Sequence, residues 1–269
     1  MFRSMLGLRK YTIGATDGEI GHVSDFFFDD RSWIIRHLVI ETGSWLMGRK
    51  VLLSPQSLMA PDWMHKRLPV RISRDQVKNS PDIDTEQPVS RQHETQYADY
   101  YGYPYYWGET MALAPVDPTA IALVDESDSA GDPHLRSCQA VLGYSIHGTD
   151  GDVGKVQSML VDEQNWGIRY LVVETSRWWS GHQVLIAPNW LTTISWAQST
   201  VSVNLTRDAI KDSPSFDSTA ELNRRQEAAL YRHYQRPSYW ELEQAMARQQ
   251  ELKREIVTLR VPGLDPSKT

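Results

Sequence analysis

The sequence predicts a mainly β protein with added helices: two small β-barrels, each followed by a helix, and one more helix at the C-terminal end. Three observations predict it. Tyr11–Asp84 lies over Tyr144–Asp217 without a gap at a constant offset of 133, with about 29 of the 74 positions identical. Within each copy, short apolar runs alternate with Asp-Gly, Pro and Asp-Trp turns at strand spacing. After the strands of each copy, a stripe recurring every four residues marks one face of a helix.

Asp17-Gly18 and Asp150-Gly151 sit between short apolar stretches, a strong hairpin signal, and Gly21 and Gly154 are read as part of the same turn geometry. The next strand is expected over 19–29, and its successor over 33–42, rich in β-branched residues. Val51–Leu53 and Leu68–Ile72 read as further short strands. Several such strands favour a small barrel, which leaves no exposed sheet edge. Ser73-Arg74-Asp75 and Thr206-Arg207-Asp208 read as capped starts of one helical turn, stopped by Ser-Pro at 80–81 and 213–214. The longer helices carry Val89, His93, Tyr97 and Tyr101 in one copy and Leu222, Gln226, Leu230 and Tyr234 in the other. Pro88 starts and Gly102 ends the first of these helices, and Ser218 with Glu221 forms a capping box for the second. A last capping box, Ser238 with Glu241, opens a C-terminal helix of roughly 20 residues carrying Leu242, Ala245, Met246, Gln249, Leu252, Ile256 and Leu259. It is expected to pack on its own barrels or to join copies of the chain as a coiled coil.

These boundaries divide the chain into a first unit over 1–107, a linker over 108–134, a second unit over 135–240 and a C-terminal helix and tail over 241–269. The linker holds six acidic residues and no Lys or Arg; without it, 28 acidic face 28 basic residues. Folded parts that are formally neutral lack the basic footprint of nucleic-acid binding. No apolar run is long enough to span a bilayer. A single cysteine, Cys138, fits a reducing, cytoplasmic location.

The Asp-Gly-x-x-Gly turn, the strand ending in Asp29 or Asp162, the Ile-Arg-x-Leu-Val strand, the Pro55 and Pro188 segments and the Ser-Pro exits together resemble the PRC-barrel family. That family is named after the cytoplasmic domain of the photosynthetic reaction-centre H subunit. The resemblance covers both repeats and implies an adaptor that contacts a protein partner, as in reaction-centre H subunits and ribosome-maturation factors. It also raises a peripheral place at the inner face of a membrane, in a photosynthetic or electron-transport complex.

Catalytic chemistry leaves little trace. None of the eight histidines aligns with another across the repeat, no pair has metal-ligand spacing, and neither a phosphate loop nor a nucleophile elbow is present. Neither cofactor nor metal is expected. Asp17 and Asp150 are expected to satisfy turn amides, and Asp29 and Asp162 to bind amides of the turn that follows. Arg36 and Arg169 stand five residues before Glu41 and Glu174, which puts each Arg and Glu on opposite sides of a regular strand. These four would line any composite enzyme site between the barrels. The duplicated aromatics Trp45/Trp178 and Trp107/Trp240, with Tyr101 and Tyr234, are candidates either for packing within a unit or for joining the barrels and binding a partner.

Overall fold

The computed structural model describes residues 1–81, 91–106, 135–175 and 182–259, with the backbone alone for 91–93, 250 and 253–259. The chain is mainly β with helices, 39% strand and 28% helix. Its N-terminal half runs β1 (Phe2–Ser4), α1 (Met5–Leu8), β2 (Thr12–Ala15), β3 (Gly18–Asp29), β4 (Ile34–Thr42), β5 (Lys50–Leu53), β6 (Arg67–Pro69), α2 (Arg74–Lys78) and α3 (Arg91–Tyr101). The C-terminal half runs β7 (Leu135–Ser137), α4 (Cys138–Val141), β8 (Ser145–Gly148), β9 (Gly151–Asp162), β10 (Ile168–Thr175), β11 (Gln183–Ile186), β12 (Leu191–Ser195) and β13 (Thr200–Val203). Helices α5 (Arg207–Lys211), α6 (Arg224–His233) and α7 (Tyr239–Leu259) complete it.

The strands expected over 19–29, 33–42 and 51–53 form close to where the pattern places them, whereas the one expected over Leu68–Ile72 is shortened to Arg67–Pro69; the reasons are local. Gly18 and Gly151 turn each hairpin with φ of 147° and 139°, a region closed to other side chains. Gly21 and Gly154 play a different part from the expected one. They lie inside β3 and β9, where an added Cβ would overlap the carbonyl oxygen of Glu41 or Glu174 on the neighbouring strand. Close backbone approach, not turn geometry, demands glycine there. Asp17 and Asp150 do accept backbone amides, but across 57 residues: from Arg74 N at 2.8 Å and Arg207 N at 2.7 Å, the first residues of α2 and α5. Each hairpin turn thereby caps a helix. Ser73 and Thr206 cap the same helices from within, accepting from Gln76 N and Ala209 N.

The longer helices need two corrections. Helix α6 begins at Arg224, capped by Asn223 in a reciprocal box with Gln226, so Ser218 and Glu221 cap nothing and Leu222 precedes the helix. Asn223 can reach the first free amides of α6, whereas Ser218 lies in a turn whose amide partner is Asp217. In the first half α3 ends as expected at Gly102, with φ of 69°; Pro88 and Val89 lie outside the described residues. The Ser238–Glu241 box is formed, with Glu241 N to Ser238 Oγ at 3.3 Å and Ser238 N to Glu241 Oε2 at 2.8 Å.

Two sheets result. One has the order β5-β4-β3-β2-β6, the other β11-β10-β9-β8-β13-β12, with β2–β6 and β8–β13 parallel and the remaining pairs antiparallel. The first sheet lacks a full counterpart of β12. Pro61 and Pro69 stand where the second half has Ile194 and Ser202, and only isolated bridges, Leu58↔Val70 and Asp62↔Arg67, remain.

The halves are joined by exchange. Strand β1 leaves its own half and pairs with β9, Phe2 opposite Asp162; β7 pairs with β3, Leu135 opposite Asp29. Each of these pairs is the other shifted by 133. Between them Ile34 bridges Gly167, its own counterpart, through Ile35 N to Trp166 O at 2.9 Å and Ile168 N to Trp33 O at 2.7 Å. A surface that meets its own equivalent in this way is the contact pattern of a two-fold axis. Buried side chains from both halves, from Met5 and Ile13 through Phe28, Leu38, Ile146 and Val173 to Leu230, form one continuous apolar cluster.

Candidate functional site

Polar contacts repeat across the seam. Arg3 Nε lies 2.9 Å from Glu163 Oε2, and its counterpart Arg136 Nε lies 3.0 Å from Asp30 Oδ2. Arg3 also covers the ring of Trp63 at 4.1 Å, and Arg136 that of Trp196 at 4.4 Å. Ser4 bonds Ser158 at 2.9 Å, where Ser137 meets Asp25 in the other copy. Burial pushes the Asp25 carboxyl up, against the Ser137 hydroxyl and the Gln139 amide, which favour its charged form.

On the outer face of each β-sheet, a buried glutamate projects from the long helix. Glu227 of α6 accepts from Tyr170 Oη of β10 at 2.7 Å and lies 3.2 Å from Arg224. Burial raises the Glu227 carboxyl above its ordinary range, and the Tyr170 and Arg224 donors oppose that rise. The same desolvation raises the Tyr170 phenol. Glu94 of α3 is the counterpart. It lies 3.1 Å from His37 Nε2 of β4, the position of Tyr170, and accepts from Tyr106 Oη at 2.7 Å. Both glutamates are 2% exposed.

A groove of about 470 Å³ opens beside the Glu94–His37–Tyr106 cluster. Its walls are the edge of β4 with Arg36 and His37, the Ser54–Pro61 segment, and α3 with the Tyr103–Tyr106 tail. Its far wall, Glu163–Trp166, belongs to the other half, so the groove straddles the seam. Arg36 is held among Ser32 Oγ at 3.2 Å, Asp29 Oδ2 at 3.7 Å and the ring of Tyr106 at 3.9 Å. Its counterpart Arg169 is held by Asp162 at 3.8 Å, by Glu243 of α7 at 2.8 Å and by the ring of Tyr239 at 4.2 Å.

The four charged residues of the supposed composite site do not converge. Glu41 is exposed, 3.5 Å from His22, and Glu174 meets Gln157 on the neighbouring strand. Asp29 and Asp162 hold the following turns as expected, accepting from Arg31 N and Ser32 N, and from Gln164 N. Among the described residues, no group of three or more His, Cys, Asp or Glu is placed to hold a metal ion.

The aromatic candidates divide. Trp45 serves its own half: its indole N–H donates to Ile20 O at 2.6 Å and Arg74 covers its ring at 4.3 Å. Tyr101 packs on Tyr97 and Tyr103, with centroids 5.2 and 5.6 Å away. Tyr234 is buried against Trp190 at 4.8 Å, its phenol pushed up to about 12 by that burial. Trp240 stands edge-on to Tyr231 at 5.2 Å under Arg224 at 4.1 Å. Trp107 and Trp178 lie outside the described residues, as do the linker and the C-terminal tail.

Glu94, Glu227, His37, Tyr106 and Tyr170 were not among the expected site residues. The signal was there: the offset of 133 continues past the strands through Arg91/Arg224, Glu94/Glu227, Tyr101/Tyr234 and Tyr106/Tyr239. A glutamate on a helix ordinarily reads as solvated, which hid this pair. No helix among the described residues is long and apolar enough to cross a membrane. No family model matches the chain, and no curated protein matches it.

Proposed function

We propose that this chain is a non-enzymatic protein-binding adaptor made of two PRC-type barrels that form an intramolecular pseudo-dimer. One observation carries the reading: β1 and β7 are exchanged between the halves around the Ile34–Gly167 bridge, so each half completes the other's sheet. Covalent linkage keeps such an interface at high effective concentration. The scattered placement of Arg36, Glu41, Arg169 and Glu174, each tied to structural neighbours, supports a scaffold over a composite active site. Arg3 over Trp63 and Arg136 over Trp196 put arginine and aromatic side chains beside the seam, residue types that dominate protein recognition.

Deleting residues 108–269 tests the pairing. The remaining unit is expected to form a homodimer by light scattering or native mass spectrometry, its β1 taken up by a second copy's β3 in place of β7. A stable, folded monomer would contradict the reading.

A further inference from the structure

The two halves carry the same outer face in two states of filling. In the C-terminal half the space around Tyr231, between α6 and β10, is packed with rings, and a cavity of about 100 Å³ beside α6 lies apart from them, against Leu185 and Phe216. Tyr231 is 3% exposed and has Trp190, Trp240 and Tyr170 at centroid distances of 5.4, 5.2 and 6.3 Å. The N-terminal half has Ala98 at the position of Tyr231, Ser57 at that of Trp190 and His37 at that of Tyr170. All three replacements remove volume, and the groove opens there, with Ala98 and His37 in its wall.

Tyr97, one residue earlier, does not refill the space. Its hydroxyl is 3.0 Å from Leu52 N, and its ring is buried with Phe27, Val39, Leu52 and Leu135. The same ring, its centroid 6.2 Å from that of His37, forms part of the groove wall and leaves the groove open beside Ala98. The charged groups of the wall are already engaged, Arg36 with Asp29 and Tyr106, Glu94 with His37 and Tyr106. Beside the uncharged polar groups of Ser54, Gln56, Gln164 and Asn165, the groove offers a ligand ring and apolar surface from Tyr103, Tyr106, Trp166, Pro55, Leu58 and Met59.

We infer that this groove takes an aromatic side chain of a partner polypeptide, seated where Tyr231 sits in the other half. The inference rests on the protein-binding reading and names the chemistry by which the partner is recognised. Ring–ring and ring–arginine contacts supply the attraction, as they do between Tyr231, Trp240 and Arg224. The groove crosses the seam, so binding also reads the paired state of the halves.

The test is a titration of the full chain, methyl-labelled at Ala and Met, with N-acetyl-tryptophanamide as the probe of a capped aromatic residue. Saturable shifts of the Ala98 and Met59 methyls are expected in the wild type, and the affinity read at Met59 is expected to fall roughly tenfold or more in Ala98→Tyr, which supplies the missing ring from within. Shifts absent from these methyls at the highest probe concentration would overturn the proposal, as would a Met59 shift that persists undiminished in a folded Ala98→Tyr. Free tryptophan, run in parallel, separates the sources of the ring. Tighter binding of the zwitterion than of the capped probe would mark a small-molecule amino-acid site and overturn both this inference and the adaptor reading beneath it. Loss of capped-probe binding alone would overturn only the inference. The wild-type titration decides the matter alone should Ala98→Tyr not fold.

Discussion

Individual residues show where the duplication is strict and why. Gly21 and Gly154 are fixed by a neighbouring carbonyl oxygen and not by a turn, so Gly21→Ala or Gly154→Ala must push β3 from β4 or β9 from β10. Such overpacking is expected to destabilise by about 1–3 kcal/mol, read as a lower urea midpoint at unchanged slope. Trp33 and Trp166 hold left-handed backbone, φ of 56° and 59°, immediately beside the Ile34–Gly167 bridge. Two bulky residues in that region are costly, and the inter-half hydrogen bonds of their carbonyls offset the strain. The sequence announces both tryptophans as duplicated but gives no sign of their backbone conformation, which depends on a bond made to the other half.

Elements differ in how readily they were legible. Strands β3, β4, β9 and β10 follow from alternation and from Asp-Gly turns, and α2 and α5 from their Ser and Thr caps. The three-residue strands β1 and β7 escaped, since three residues carry no periodicity. Only the shared Arg3-Ser4 and Arg136-Ser137 hint that the repeat starts before Tyr11. Helix α7 divides the two expectations made for it. Its base packs through Trp240 and Glu243, while Ala245, Gln249 and Leu252 face outward, Leu252 58% exposed; Ile256 and Leu259 lie where only the backbone is described.

The pairing of α6 with β10 makes a pH prediction. Burial holds the Glu227 carboxyl above the usual value of 4.5 in the folded chain. Between that value and the raised one, the native state binds more protons than the unfolded state, so this group's contribution to stability falls as pH rises. Wild type is expected to lose melting temperature relative to Glu227→Gln as pH rises from about 4.5 towards neutrality. Parallel melting curves for the two proteins would show instead that Glu227 is fully ionised at ordinary carboxylate pH.

On the scale of the whole molecule, the repeat explains both the symmetry and its breaking. Arg3/Arg136, Ser4/Ser137 and Ile34/Gly167 keep the seam two-fold, whereas His37/Tyr170, Ser57/Trp190 and Ala98/Tyr231 leave a groove in one half where the other is filled with rings. The sequence displayed all of these pairs in register. It could not display that β1 and β7 cross over, because which strand an edge accepts is decided by non-local pairing and not by the strand's own residues. The same limit hid the buried glutamates, whose partners lie 57 residues away.

The exchange of β1 and β7 is tested most directly by cutting the connection between the halves in the intact protein. With a protease site inserted within 108–134, cleavage of the folded chain is expected to leave both fragments co-eluting at the mass of the uncut protein. Separation should come only under conditions that also unfold them. Two fragments that part on cleavage and stay folded would contradict the pseudo-dimer.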